Sequence, residues 1–208
     1  MTKSDEISME SMCSLPINEA FYSLQGEGCN SGQAAYFIRL GGCDVACEWC
    51  DSPQAQSGGE MTPIESIVQD VLKTPAHNVV ITGGEPSLHN LEPLTTLLKE
   101  QGKRVMIETS GTNPLSGTLD WVCLSPKPHY DALCEVYAQA NELKVVIAKQ
   151  EDFEFAERCA LRVSGSTLLY LQCEWGARAD LTNSVIEYIK KNPKWRLSLQ
   201  THKFLNIL

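Results

Sequence analysis

Short apolar runs typical of buried strands alternate with amphipathic segments along most of this chain. Residues 34–40 form one such run, and the segment 63–73 has apolar side chains at helical spacing, with Thr62 as a predicted N-cap and Pro63 in the first turn. The same patterns predict further strands at 79–81, 105–107, 121–124, 143–147, 167–171 and 195–199, and further helices at 91–98, 153–159 and 185–189. Strands separated by helices imply βαβ units and a mainly parallel α/β sheet, although the link at 115–121 is too short for a helix.

Polar motifs follow the predicted strands at the points where the strands end. In chain order they are a cysteine-containing loop, Thr82-Gly83-Gly84-Glu85-Pro86, Glu108-Thr109-Ser110-Gly111-Thr112, Ser125-Pro126-Lys127, Gln172, and Gln200-Thr201-His202-Lys203. In a β/α barrel the carboxyl ends of the strands form the active-site face. The sequence therefore predicts an α/β fold with its chemically active residues on one rim.

Three cysteines, Cys43, Cys47 and Cys50, lie in one short loop with the spacing C-x3-C-x2-C. A structural zinc site uses four ligands, usually as two separated pairs. A [4Fe–4S] cluster is held by cysteine thiolates, and a set of three leaves one iron open for a reactive ligand. Free cysteines are also common as small buried residues. The spacing favours a cluster and leaves zinc binding or simple packing as alternatives.

The composition is that of one ordinary globular domain. The 208 residues, 43% of them hydrophobic, fit a single domain at 17–208 after a polar tail at 1–16. Nine cysteines, with no apolar leader and no run of membrane-spanning length, predict a reduced cytoplasmic protein that does not use the membrane. A net charge of −9 argues against direct nucleic-acid binding, which needs a basic surface, but is compatible with a small anionic substrate.

Taken together, the cysteine loop and the motifs after the next two strands resemble the radical S-adenosylmethionine (SAM) superfamily. Within it, five segments resemble the 7-carboxy-7-deazaguanine synthase family: Leu24-Gln25-Gly26-Glu27-Gly28, Cys50-Asp51-Ser52, Ile81-Thr82-Gly83-Gly84-Glu85-Pro86, Ser125-Pro126-Lys127 and Gln200-Thr201-His202-Lys203. The resemblance covers nearly the whole chain after the tail. It implies an α/β fold, a partial (open, truncated) β/α barrel of the radical SAM type, and a carbon–nitrogen lyase.

The resemblance also implies a reaction. SAM binds the open iron of a [4Fe–4S] cluster, and one electron from an external, flavodoxin-like reductant cleaves it to methionine and a 5′-deoxyadenosyl radical. This radical, rather than a protein side chain, abstracts hydrogen from 6-carboxy-5,6,7,8-tetrahydropterin. The ring contracts and loses ammonia to give 7-carboxy-7-deazaguanine, on the route to queuosine in tRNA. Magnesium and a homodimer are further expectations.

Site residues follow from the resemblance, position by position. Cys43, Cys47 and Cys50 are expected to hold the cluster, and Ser52 to bind Mg²⁺. The expected SAM site contains Trp49, Cys50, Asp51, Gly84, Glu85, Ser125, Pro126 and Lys127, where Gly83 and Gly84 allow close backbone approach and Glu85 accepts from the ammonium of SAM. The expected pterin site contains Leu24, Gln25, Gly26, Glu27, Thr82, His202 and the terminal carboxylate of Leu208.

Arg39 is a cation inside an otherwise apolar strand, where an unpaired charge is costly. We expect it to bind the substrate carboxylate bidentately, and a structural ion pair is the alternative. Two other functions compete with the synthase. One is another radical SAM enzyme such as a glycyl-radical activase, which would not need Gln25, Glu27 or the ending with His202. The other is a zinc-stabilised binding module without catalysis.

Overall fold

The computed structural model of the protein describes residues 14–45 and 47–208. Within these residues the strands are β1 (Ser14–Leu24), β2 (Ala34–Leu40), β3 (Glu60–Pro63), β4 (Asn78–Gly83), β5 (Arg104–Thr109), β6 (Trp121–Leu124), β7 (Glu142–Ile147), β8 (Leu168–Cys173) and β9 (Trp195–Ser198). The α-helices are α1 (Ile64–Leu72), α2 (Glu92–Glu100), α3 (Cys134–Gln139), α4 (Asp152–Ala160), α5 (Arg178–Lys191) and α6 (Thr201–Leu205). Two short 3-10 turns are Pro53–Gln56 and Pro86–Leu88.

All of the strands in the described residues join one sheet, in the order β3-β1-β2-β4-β5-β6-β7-β8-β9. β1 pairs antiparallel with both β2 and β3, and every pair from β2 to β9 is parallel. β3 and β9 are thus the two edges of the described sheet. The architecture is an open partial barrel, as the family resemblance implied, and its mainly parallel sheet is the one that the strand and helix pattern predicted.

Alternation of side chains along the strands separates an outer from an inner face. On β2, Ile38 and Leu40 pack with the apolar side of α1 in a large buried cluster. Each such fully buried aliphatic side chain contributes roughly 1.5–3 kcal/mol relative to leaving it exposed. Phe37 lies on the opposite, inner face with Val80, so this face is apolar at one end of the barrel. Arg39 follows Phe37 on the inner face and begins the polar end of the cavity.

The predicted strands and helices are present, most of them with small changes at their ends, but α5 begins at Arg178, well before the start predicted at 185. The link from β5 to β6 contains no α-helix among its described residues. Four elements were not predicted: β1, β3, α3 and α6. Two details need correction. Thr62 belongs to β3 rather than capping α1, which begins after Pro63. Ser14 to Pro16 belong to β1 and pair with β3, so the tail boundary at residue 16 is too late.

The remainder of the predicted tail, residues 1–13, lies outside the described residues. No helix in the described part of the chain is long and apolar enough to cross a membrane.

Candidate active site

A cavity of about 500 Å³ opens at the carboxyl end of the parallel strands. Its wall contains almost every residue that the sequence predicted for the site: Leu24, Gln25, Gly26, Glu27, Arg39, Cys43, Cys47, Trp49, Cys50, Asp51, Ser52, Thr82, Gly84, Glu85, Ser125, Lys127, His202 and Leu208. Pro126 is buried beside the wall and does not line it. The topology brings these residues together because β2, β4, β5 and β6 all deliver their carboxyl ends to the same edge.

The cysteine loop forms one side of this cavity. Cys43, Cys47 and Cys50 are half-buried free thiols on the wall. The thiol of Cys43 donates to the carbonyl of Val45 at 3.1 Å. Burial raises the pKa of Cys43 and of Cys47, and at Cys47 the nearby Lys127 ammonium partly opposes this effect. The loop therefore carries neutral thiols that must lose protons when they bind a metal.

Glycine backbone packs directly against the cysteine loop. A Cβ atom on Gly84 would lie 2.2 Å from the carbonyl oxygen of Gly42 and 2.8 Å from Cβ of Cys43, so only glycine fits at this position. Glu85 N–H donates to the Gly42 carbonyl at 2.9 Å, and Gly42 N–H donates to the Ala55 carbonyl at 2.8 Å. The Gly-Gly-Glu-Pro motif and the cysteine loop are consequently held as one backbone unit.

The carboxylate of Glu85 is held by donors from the protein itself. It is 1% exposed, and its two oxygens accept from five protein donors. Oε1 accepts from the backbone and hydroxyl of Ser87 at 2.9 and 2.6 Å and from Thr109 Oγ1 at 2.5 Å. Oε2 accepts from the backbone and hydroxyl of Ser110 at 2.7 and 2.5 Å. Glu85 therefore braces the loops after β4 and β5.

Lys127 stands opposite the cysteine loop. Its ammonium donates to the carbonyl and hydroxyl oxygens of Ser125 at 2.5 and 3.0 Å and lies 5.8 Å from the centroid of the Trp49 ring. Desolvation lowers the pKa of Lys127. The Ser-Pro-Lys motif thus contributes a cation and a hydroxyl to the half of the cavity that contains the cysteines.

Residues 24–28, predicted to bind the pterin and called the pterin segment below, lead from β1 toward β2 and face α6. A Cβ atom on Gly26 would lie 2.1 Å from Nδ1 of His202, so the backbone and the imidazole are in close contact. Burial lowers the pKa of His202 although the Glu27 carboxylate acts in the opposite direction. The side chain of Gln25 donates to Glu108 Oε1 at 2.7 Å. Glu27 pairs with Lys144 and accepts from Gln200 at 2.9 Å.

Arg39 lies beside Thr82 in the parallel pair of β2 and β4, and both line the cavity. The Nε–H of Arg39 donates to Glu19 Oε1 at 2.5 Å across the antiparallel pair with β1. The ion pair that was the alternative for Arg39 is therefore present. Because the contact uses Nε, the ion pair and a role toward substrate are compatible.

The chain end is attached to β1 by a hydrogen bond. A terminal oxygen of Leu208 accepts from the Ser23 hydroxyl at 2.7 Å. The nearby side chains of Phe204 and Leu205 are each 61% exposed. Ser52 lines the cavity next to the cysteine loop and makes no side-chain capping bond to the turn that follows it.

Among the wall residues that were not predicted as site residues are Glu108, Lys144 and Gln200. Glu108 and Gln200 stand inside motifs that the sequence singled out, yet received no role. Gln200 donates to both Glu27 and Asp51 at 2.9 Å and so links the pterin segment to the cysteine loop. Lys144 is a cation in an apolar strand, the same signal that identified Arg39.

The donor set fits a [4Fe–4S] cluster. Within the described residues, no group of three or more His, Cys, Asp or Glu side chains is arranged around a single metal ion. A cluster makes a different demand, since each cysteine binds a different iron and the three sulfurs need not meet at one point. Three free thiols on one wall, beside a cavity lined by glycine backbone and a lysine, meet that demand.

Comparisons with known proteins identify the family. Residues 37–146 match the Radical SAM superfamily. The chain is 46% identical over its full length to the 7-carboxy-7-deazaguanine synthase of Flavobacterium psychrophilum, covering 99% of that protein. It is 50% identical to the Synechocystis protein of the same name, over 93% of this chain and 94% of that protein.

Among solved structures, the crystal structure of QueE from Escherichia coli superposes with a TM-score of 0.82 at 32% identity, covering 95% of this chain and 99% of that one. The similarity extends along both chains and includes the sheet that carries the site. As the sequence motifs predicted, this chain belongs to the 7-carboxy-7-deazaguanine synthase family of the radical SAM superfamily.

Proposed function

We propose that this protein converts 6-carboxy-5,6,7,8-tetrahydropterin to 7-carboxy-7-deazaguanine with loss of ammonia. The observation that carries the proposal is the single cavity in which the cysteine loop faces a set of ionic and amide side chains from β2, β5, β7 and α6. One half of this cavity suits the cofactors. The other half offers both a cation and carboxylates, as a pterin that carries a carboxylate and several N–H groups requires.

Cys43, Cys47 and Cys50 would hold the [4Fe–4S] cluster. When bound, cluster and SAM supply the radical that removes a hydrogen atom from the substrate. The glycines at 83–84 leave room for the methionine part of SAM to approach the backbone. Lys127 places a cation near Cys47, where it offsets the negative charge of bound thiolates. Trp49 and Asp51 line the same half of the cavity.

Arg39 would bind the substrate carboxylate. Glu19 holds the guanidinium at Nε, and this contact orients the two terminal nitrogens for a bidentate pair. Thr82, the neighbour of Arg39 on β4, adds a hydroxyl at the same place. At the other end, Gln25, Glu27 and His202 would meet the amino and ring N–H groups of the pterin, and the carboxylate of Leu208 would accept from the same edge.

We also propose that Ser52 binds a Mg²⁺ ion that contacts the substrate, because its hydroxyl lines the cavity beside the cysteine loop. A cytoplasmic homodimer and reduction by an external flavodoxin-like protein complete the proposal.

The test is anaerobic reconstitution with iron and sulfide, followed by incubation with SAM, a one-electron reductant and the tetrahydropterin. We expect 5′-deoxyadenosine, methionine and 7-carboxy-7-deazaguanine in amounts that increase with enzyme. Cleavage of SAM with no change in the pterin would refute the proposed substrate. A protein that retains zinc instead of iron and sulfide would refute the radical mechanism.

A further inference from the structure

The pterin half of the cavity contains a buried lysine whose role no sequence motif indicates. Lys144 lies on the inner face of β7 and is 3% exposed. Its ammonium contacts the Glu27 carboxylate and lies 3.4 Å from Glu108 Oε2. All three side chains line the cavity, and they come from the connection after β1, from β5 and from β7.

Each carboxylate is held from two sides. One oxygen of Glu27 accepts a hydrogen bond from the Lys144 ammonium, and the other accepts from the side-chain amide of Gln200 at 2.9 Å. One oxygen of Glu108 accepts from the Lys144 ammonium, and the other accepts from the side-chain amide of Gln25 at 2.7 Å. An ionised carboxylate offers about four acceptor positions, so both groups keep accepting capacity after these contacts. The Glu27 and Glu108 side chains remain 14% and 24% exposed on the cavity wall.

Fold stability does not explain this arrangement well. Removing two charges from water costs several kcal/mol per ion, and a well-packed apolar side chain often stabilises such a position as much or more. Strongly perturbed ionisable groups in a cleft are instead typical of functional sites. Two carboxylates here share one ammonium, which leaves an excess of one negative charge. Such a wall favours a ligand edge that consists of N–H donors.

We propose that Lys144 is a positioning residue for the pterin, aligning the Glu27 and Glu108 carboxylates as acceptors for the pterin's amino and ring N–H groups. This inference rests on the proposed function, which supplies the substrate.

The charges around Lys144 indicate what its removal does. Burial acts to raise the pKa of Glu27, but the Lys144 ammonium, the Gln200 amide and His202 together lower that pKa to about 2. Glu142 and the Cys123 thiol face the same ammonium, and burial raises the pKa of each. His202 is the remaining neighbour that titrates near neutral pH, and it is present in both the native protein and a Lys144 variant.

Without Lys144, burial acts on the Glu27 carboxylate without the ammonium that opposes it, so the pKa of Glu27 rises, and a protonated carboxyl loses part of its accepting capacity. Pterin affinity in such a variant therefore falls as the pH decreases from about 8 to about 6, more steeply than in the native protein. His202 is present in both proteins, so the difference between the two profiles reports the loss of Lys144, including its effect on His202 through the Glu27 carboxylate.

The experiment measures binding of the tetrahydropterin and of SAM by anaerobic calorimetry on the reconstituted protein, without reductant so that SAM stays intact. For Lys144→Met we expect a pterin Kd raised roughly 30- to 100-fold, about 2–3 kcal/mol, with the steeper pH profile and an unchanged SAM Kd. Lys99→Met is the matched control. Lys99 also pairs with a carboxylate, Asp120, but outside the cavity, so both affinities should stay native.

Two outcomes overturn the inference alone, given a native protein that binds the pterin. One is a native pterin Kd in Lys144→Met, and the other is an equal loss of pterin and SAM affinity together with a lower melting temperature, which indicates a purely structural ion pair. If Lys144→Met does not fold, the double variant Lys144→Gln/Glu108→Gln removes the uncompensated charge. It should bind SAM normally and the pterin weakly, and native pterin binding would contradict the role of Lys144.

Failure of the proposed function has a separate signature. A native protein that binds SAM but not the tetrahydropterin would refute the substrate, and the inference about Lys144 with it.

Discussion

Replacing Glu85 by glutamine tests whether this carboxylate braces the fold or binds SAM. In the structure, Oε1 faces the backbone N–H of Ser87 and Oε2 faces the backbone N–H of Ser110. A glutamine amide has only one acceptor oxygen. Whichever way it turns, its NH₂ group meets one of these two N–H donors, whereas the hydroxyls of Ser87, Thr109 and Ser110 can rotate to accept.

The cost follows from that geometry. One buried backbone N–H left unsatisfied costs about 1–3 kcal/mol, and the remaining bonds lose the contribution of a charged acceptor. Relief of the desolvated charge offsets part of this loss, so we expect a destabilisation of roughly 2–4 kcal/mol. With an m-value of about 2 kcal/mol/M, the urea midpoint of the cluster-free protein should fall by roughly 1–2 M.

The assay is urea unfolding followed by circular dichroism, with SAM binding measured separately on the folded variant. Glu100→Gln makes the same chemical change at an exposed position on α2 and should shift stability by less than about 0.5 kcal/mol. We expect Glu85→Gln to retain SAM binding when folded. A variant with the native urea midpoint and no SAM affinity would show that Glu85 is a SAM ligand and that the bracing argument is wrong.

The remaining predictions concern the cluster, the substrate carboxylate and magnesium. Cys47→Ala should not assemble a native cluster and should form no 5′-deoxyadenosine; full turnover by that variant would contradict the cluster assignment. Arg39→Met should weaken pterin binding roughly 30- to 100-fold and leave SAM affinity unchanged, while equal losses of both with a lower melting temperature would favour a structural role. Mg²⁺ should stimulate turnover, and Ser52→Ala should reduce that stimulation; full activity after selective chelation, with the cluster intact, would exclude the ion.

Parallel strands were the most predictable part of the fold. β2 was predicted with its observed ends, because a strand buried on both faces is a continuous apolar run. β1 and β3 were not predicted from the sequence, because they are antiparallel and largely half-buried or exposed. Their sequences therefore mix polar and apolar residues. Their positions depend on pairing between distant segments, such as Leu15 with Thr62, which no local pattern contains.

The family motifs predicted the wall of the site better than they predicted the contacts within it. Family membership and enzyme class are confirmed by the relatives, so the activase and the zinc module are set aside. Residue roles remain predictions. Glu85 illustrates the limit, since its position on the wall was anticipated while its five protein donors were not. Those donors come from two loops, and their convergence is a property of the tertiary fold.

A charged residue inside an apolar strand is a useful signal of a functional site. It identified Arg39 on β2, and the same rule selects Lys144 on β7, which has apolar neighbours on both sides along the strand. The positions of its partners in the sequence explain why the role of Lys144 could not be predicted. Glu27 and Glu108 are 117 and 36 residues away from Lys144 in the sequence, and both reach it only because the sheet curves and the connection after β1 folds over its end. A cation in a strand can thus be located from sequence, but whether it binds substrate or orients the groups that do so depends on the carboxylates that the fold brings to it.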